Sequence, residues 1–212
     1  MDKAFRATQI AALVVMLSVF GGMLAFSDIY SDVNSNIVSV TCLSCIKLQP
    51  KTSIEFTFDT YGGVQHPEFV KQNLTQGPVF LAYRTIVCDF CDVMDPVLED
   101  IFDVNYSVQD PIVVKKKDFD GNTVTFIHIN NDIVTDEFKK SQEVYMEEAF
   151  KTSVPMFTLV TVRYNRGEVE PYYATAYGVL EKDTFDERKQ VLLDTINDGI
   201  DLYNEFEEGY EP

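Results

Sequence analysis

The stretch Val79-Phe80-Leu81-Ala82-Tyr83-Arg84-Thr85-Ile86-Val87-Cys88-Asp89-Phe90-Cys91-Asp92-Val93-Met94-Asp95-Pro96-Val97-Leu98-Glu99-Asp100-Ile101 changes its periodicity halfway along. Val79 to Tyr83 is apolar on both faces, as a central strand covered from two sides should be. From Val93 the apolar residues fall at Val93, Met94, Val97, Leu98, Ile101 and Phe102, which is helical spacing. Cys88-Asp89-Phe90-Cys91 lies where the strand gives way to the helix. Pro96 falls one turn beyond Cys91 and should kink that helix.

A Cys-x-x-Cys at a helix start has a definite chemistry. The unpaired backbone N–H groups and the positive end of the helix dipole stabilise a thiolate on the first cysteine, so Cys88 is the candidate nucleophile. Cys91, one turn on, is placed to attack a mixed disulfide formed at Cys88 and is the candidate resolving thiol. Taken alone, the motif is equally at home holding zinc or iron.

Outward from this stretch, Ser53 to Asp59 alternates polar and apolar residues and reads as a strand with one buried face, ended by Tyr61-Gly62-Gly63. A polar connection or short helix fills Val64 to Gln76, and Gly77-Pro78 punctuates the entry to the central strand. Asp120-Gly121 marks a hairpin turn between Ile112-Val113-Val114 and Thr123 to Ile129. A helix is expected from Asp136 to Phe150, a buried strand from Met156 to Val162, an edge strand from Val169 to Tyr177, and a last helix from Thr184 to Phe206. Thr184 with Glu187 makes a capping box for that helix, and Phe185, Leu192, Ile196, Ile200 and Tyr203 share one of its faces.

Together these features resemble the thioredoxin family. The run from Val79 to Ile101 resembles its strand, Cys-x-x-Cys and active-site helix with the helix proline, without a gap. Thr152-Ser153-Val154-Pro155-Met156-Phe157 resembles its cis-proline loop, Asn165-Arg166-Gly167-Glu168-Val169 the turn between its last two strands, and Tyr177-Gly178-Val179 the glycine before its last helix. The resemblance covers roughly residues 53–205. It implies an α/β thioredoxin-like fold, a central mixed sheet flanked by helices, with redox chemistry at Cys88 and Cys91 and substrate contact at Val154 and Pro155. The chain also departs from the family. Ala82 stands where the family has a buried acid, Val87 replaces an aromatic before the motif, and Asp89-Phe90 replaces Gly-Pro between the cysteines. Asp92 replaces a common Lys, and Asp103 to Thr123 is expected to hold an insertion. These changes point to an exported specialist rather than a general-purpose reductant.

The chain of 212 residues opens differently from the way it continues. Ala7 to Ser27 is free of charge, long enough as a helix of about 31 Å to cross the apolar layer of a bilayer. Lys3 and Arg6 precede it and Asp28 and Asp32 follow, so residues 1–6 are expected in the cytoplasm, 7–27 in the membrane and the rest outside. A cleaved signal peptide has the same charge layout, but Ile10 to Phe26 is long for a signal core of about 7–15 residues, and a retained single-pass anchor is favoured. Residues 28–52 read as a tether and strand-like segment, 53–205 as the domain and 206–212 as an acidic tail. The net charge is −17, and removing Asp2, Lys3 and Arg6 leaves 33 acids against 15 bases beyond residue 27. A surface this negative repels phosphate backbones, which excludes nucleic acid as a partner, and the triplet Lys115-Lys116-Lys117 reads as a solvated strand end.

Cys42 and Cys45 form a second close pair outside the matched stretch, read as a local structural disulfide or, alternatively, a second redox pair. A zinc site using all four cysteines is disfavoured, since 42 residues separate Cys45 from Cys88 against a usual interval of about 15–20. His128 reads as a satisfied strand histidine and His66, before Pro67, as a loop residue. Neither a Gly-x-Ser-x-Gly nor a His-Glu-x-x-His motif supports hydrolase chemistry. Asn73-Leu74-Thr75 and Asn105-Tyr106-Ser107 are sequons.

The sequence therefore leads to the expectation of a membrane-anchored thiol–disulfide oxidoreductase that needs no cofactor or metal. Its partners would be exported proteins carrying thiols or disulfides, with an electron donor in the membrane left open. A redox-inactive binding module holding a partner chain at the cis-proline groove is the alternative. Asp89, Asp92 and Asp95 near Cys88, with no Lys close by, would leave its thiolate less stabilised and set the pair toward reduction or isomerisation.

Overall fold

The computed structural model describes residues 54–151, 153–165 and 168–209. The expected membrane segment 7–27, the tether 28–52 and the pair Cys42 and Cys45 lie outside the described residues. Among the described residues no helix is long and apolar enough to cross a membrane.

Chain order is helix α1 (Glu68–Leu74), strand β1 (Val79–Arg84), helix α2 (Asp89–Phe102), strands β2 (Ile112–Phe119) and β3 (Asn122–Asn130), helix α3 (Asp136–Tyr145), strands β4 (Met156–Asn165) and β5 (Glu168–Tyr177), and helix α4 (Phe185–Gly209). The strands form one mixed sheet in the order β2-β3-β1-β4-β5. β1 runs parallel to β3 and antiparallel to β4, while the β2–β3 and β4–β5 pairs are antiparallel.

Every residue of β1 is buried, because both faces of the sheet are covered. Alternate residues point to opposite faces. Phe80 and Ala82, with Phe126, Phe157 and Leu159, meet Met94, Val97, Leu98 and Phe102 of α2 and Leu192, Ile196 and Ile200 of α4. Val79, Leu81 and Tyr83, with Ile127, Ile129, Met156 and Val160, meet Val70 and Leu74 of α1 and Val144 and Tyr145 of α3. The result is a three-layer mixed α/β arrangement of a five-strand sheet flanked by helices.

Local chemistry explains the boundaries. Asp120 and Gly121 both take positive φ, as a two-residue turn between twisted antiparallel strands requires. Thr184 Oγ1 accepts the Glu187 N–H at 3.3 Å and Glu187 Oε2 accepts the Thr184 N–H at 3.1 Å, the reciprocal capping expected for α4.

Five expectations need correction. Ser53 to Asp59 does not form a strand of the sheet: its described part makes only an isolated bridge, Thr57 to Tyr173, beside the edge strand β5. Helix α3 stops at Tyr145, and residues 148–150 form a separate single turn. The lysine triplet is not a strand end but the middle of β2, an edge strand whose charges discourage further pairing. Phe185 is exposed rather than part of the face of α4 that joins the core, and α4 continues to Gly209, into the stretch read as an acidic tail.

α4 packs tightly on the sheet at Gly199, where a Cβ would overlap the side chain of Leu159 on β4. There Thr161 Oγ1 also donates a hydrogen bond of 2.8 Å to the Gly199 carbonyl. Gly199→Ala is expected to destabilise the protein by about 1–3 kcal/mol through overpacking, read as a lower denaturant midpoint. An unchanged midpoint would show that the helix can lift without cost.

Candidate functional site

The junction between β1 and α2 is built by pairings at the same end of the sheet. The Asn131 N–H donates to the Arg84 carbonyl at 2.9 Å, and Asp132 Oδ2 accepts the Ile86 N–H at 2.8 Å. The chain leaving β3 thereby holds the segment that leads into the cysteines. Cys88 is the N-cap of α2, in extended conformation, with its Sγ accepting the Cys91 N–H at 3.1 Å. That contact is the backbone donor expected to favour a thiolate at this position.

Cys88 and Cys91 are joined as a disulfide. Cys91 is fully buried, whereas Cys88 is partly exposed. Around Cys88 the surface is apolar: Val87 is 87% exposed, Phe90 58% and Val93 39%. Three adjacent apolar side chains left in water beside the disulfide make a rim that another apolar segment can cover.

The Val154–Pro155 peptide is cis. Pro155 is buried and directly precedes Met156, which pairs with Tyr83 near the end of β1. Its carbonyl accepts the Gly178 N–H at 2.9 Å, tying the turn after β5 to the same end of the sheet. The fold thus brings Val154, Pro155, Cys88 and Cys91 to the loops beyond the end of β1.

Beneath the cysteines lies a charged network that sequence reasoning missed. Arg84, the last residue of β1, is 2% exposed and its guanidinium reaches two carboxylates of α2. Nη2 pairs with Asp92 Oδ1 at 3.1 Å, and Nη1 pairs with Asp95 Oδ2. The other Asp95 oxygen accepts the hydroxyl of Tyr106 at 3.2 Å. Tyr106 in turn stacks on His128, their ring centroids 4.1 Å apart. The expectation that Asp92 and Asp95 stand uncompensated is therefore wrong, because Arg84 faces both. A charged residue ending an otherwise apolar buried strand, followed by acids three apart on the next helix, is the signal that could have found it.

Burial pushes the Asp95 carboxyl up to about 6, even though Arg84 and the Tyr106 hydroxyl pull the other way. Burial and the nearby Arg84 charge lower His128 to about 4, with Asp110 opposing. Neither ring nitrogen of His128 has a hydrogen-bond partner, so it is not the satisfied strand histidine expected. His66 lies in the loop before α1, as expected, but is tied down there: its Nδ1 lies 3.2 Å from the Tyr145 hydroxyl, and burial lowers it to about 4. Of the two sequons, Asn105 is exposed, whereas Asn73 spends its amide on the Phe69 carbonyl at 2.7 Å. Among the described residues, no group of three or more His, Cys, Asp or Glu side chains is arranged to hold a metal.

Comparison with protein-family models, with curated proteins and with solved structures returned no match to this chain.

The titrations fix the sign of the acid response. His66 and His128 fold neutral and would take up protons near pH 6.5 once unfolded, so their stabilisation is present above pH 6.5 and is lost as pH falls toward 4. Asp95 acts oppositely, since the folded state takes up its proton near pH 6, before the unfolded chain does. Two histidines against one carboxyl leave a net loss. The denaturant midpoint is expected to fall between pH 7 and pH 5, and His128→Phe, which keeps the stack on Tyr106, should make that fall shallower. A slope unaltered by the substitution would mean that His128 is not buried neutral.

Proposed function

We propose that the chain is a membrane-anchored thiol–disulfide oxidoreductase whose domain has a thioredoxin-like fold and exchanges disulfides with exported proteins. The observation that carries this reading is the asymmetric pair at the start of α2. Cys88 is partly exposed and receives a backbone N–H, while Cys91 is sealed beneath it. A structural disulfide has no need of such asymmetry. Closing a loop across a sequence separation of 3 also removes little entropy from the unfolded chain, so the pair adds little to stability.

The fold supports the reading in detail. The strand leading to the cysteines is central, flanked by one parallel and one antiparallel neighbour, and a cis proline precedes the antiparallel one. The hairpin strand β2 lies in the stretch expected to hold an insertion and occupies the sheet edge beside β3. On this reading the exposed apolar rim of Val87, Phe90 and Val93 covers an extended client segment. The backbone at Val154 and Pro155 aligns that segment for attack by Cys88.

In the reducing direction the Cys88 thiolate attacks one sulfur of the client disulfide and releases the other as a thiolate. Cys91 then attacks Cys88 Sγ, releasing the second client thiolate and closing the Cys88–Cys91 bond. Two electrons pass from the dithiol to the client, and an external dithiol must restore them. In the isomerising direction the mixed disulfide is resolved by another client thiol instead.

Cys88→Ser is expected to abolish disulfide exchange, while Cys91→Ser should accumulate mixed disulfides on Cys88 that survive denaturing electrophoresis without reductant. Cys42→Ser should leave most of the exchange activity. Full activity in Cys88→Ser would overturn the catalytic assignment and favour a redox-silent binding module.

The poise of the pair follows from charge. With Arg84 facing Asp92 and Asp95, Asp89 is the acid left to oppose the thiolate, and it is exposed at the first turn of α2. A potential near the thioredoxin value of about −270 mV is expected, moving toward more oxidising values in Asp89→Asn. Equilibration of the full chain carrying Cys42→Ser and Cys45→Ser with glutathione buffers reads it. A value above about −150 mV would show that the backbone donors at Cys88 outweigh the acid and that the domain is built to oxidise.

A further inference from the structure

The sequons Asn73-Leu74-Thr75 and Asn105-Tyr106-Ser107 share one acceptor pattern, an asparagine amide with a hydroxyl two residues on. On the topology proposed above both lie outside the membrane, so topology does not choose between them. Their local structures do. Glycan transfer needs an amide nitrogen that is not already engaged, an accessible hydroxyl beside it, and a surface position that takes a bulky solvated group.

Asn73 is half-buried in the last turn of α1, and its neighbours Val70 and Leu74 are buried in the core on that side of the sheet. Its Nδ2, the atom that would carry the sugar, donates to the Phe69 carbonyl at 2.7 Å. The hydroxyl of Thr75 is engaged too, donating to the Gln72 carbonyl at 2.8 Å. A glycan at Asn73 would displace the first of these bonds at a half-buried position.

Asn105 differs on each count. It lies in the loop between α2 and β2 and is exposed, and among the described residues nothing bonds its side chain. Ser107 is exposed as well, and its hydroxyl accepts the Gln109 N–H at 3.2 Å, which leaves the hydroxyl proton uncommitted. The residues around Asn105 hold the loop in place. Val104 and Tyr106, on either side of it, pack against the core. The Tyr106 N–H donates to Glu99 Oε1 at 3.3 Å, and the Tyr106 hydroxyl donates to Asp95 Oδ1 at 3.2 Å. Further on, the Val108 carbonyl accepts the Asn130 side-chain amide at 2.7 Å. With both neighbours anchored inward, Asn105 stands on a fixed loop where a glycan displaces no contact.

We propose that Asn105 is an N-glycosylation site of this chain and that Asn73 stays unmodified. The proposal rests on the outward-facing topology of the functional reading and not on its redox chemistry. The co-substrate is an oligosaccharide linked to a lipid phosphate, and a membrane oligosaccharyltransferase is the catalyst. Asn105 Nδ2 bonds to C1 of the sugar as the C1–O bond to the lipid phosphate breaks. The lipid phosphate leaves with the bonding electrons, and the amide passes one proton to a base of the transferase. No oxidant or reductant is consumed.

Translation of the full-length chain with endoplasmic reticulum microsomes, whose lumen corresponds to the outside of a cell, reads topology and occupancy together. The domain should be protected from added protease and should show one endoglycosidase-sensitive step in electrophoretic mobility. Asn105→Gln should remove that step, and Asn73→Gln should leave it. Ser107→Ala should also remove it with the asparagine in place, whereas Ser107→Thr should keep it. A protected chain without any step would overturn the inference while the topology stands. Two steps, or a single step that Asn73→Gln removes, would overturn it as well. A domain open to protease outside the vesicle would overturn the topology and the inference together.

Discussion

A guanidinium that is 2% exposed has to be paired, because an isolated buried charge is far too costly to leave unsatisfied. Arg84 ends a strand buried on both faces, and the partners it finds are Asp92 and Asp95, in the first two turns of the helix that follows. This requirement pins α2 against the end of β1. The short link between them can then take few paths, and Cys88 is held at the helix N-cap with Cys91 turned inward. Replacing one partner alone would strand the other, so strand end, helix start and cysteine pair behave as one unit.

The remaining architecture serves that unit. Two apolar layers make β1 the centre of the sheet, and its neighbours deliver their own loops to the same end. From β3 come Asn131 and Asp132, which bind the segment before Cys88, and from β4 comes the cis Val154–Pro155 bond. Rigid strands hold these loops more precisely than the loops could hold themselves.

The same network explains a cost. His128 is buried with neither ring nitrogen bonded, and Asp95 is buried enough for its carboxyl to be drawn upward. Both weaken the fold relative to an apolar core of the same shape.

What could be read from the chain alone was what depends on near neighbours. The apolar run of Val79 to Tyr83, the helical stripe from Met94 to Phe102 without Val93, which is exposed, the Cys88 and Cys91 spacing, the Asp120-Gly121 turn and the Thr184–Glu187 cap all act within a few residues, and each reappears in the structure. Ser53 to Asp59 failed as a strand because a period-2 pattern says that a segment can pair and not that an edge is free to receive it. The compensation of Asp92 and Asp95 by Arg84, the stacking of Tyr106 on His128 and the clamp from Asp132 to Ile86 were set only in three dimensions. Burial belongs to the assembled layers rather than to any residue, so only the folded chain decides which charges must find each other.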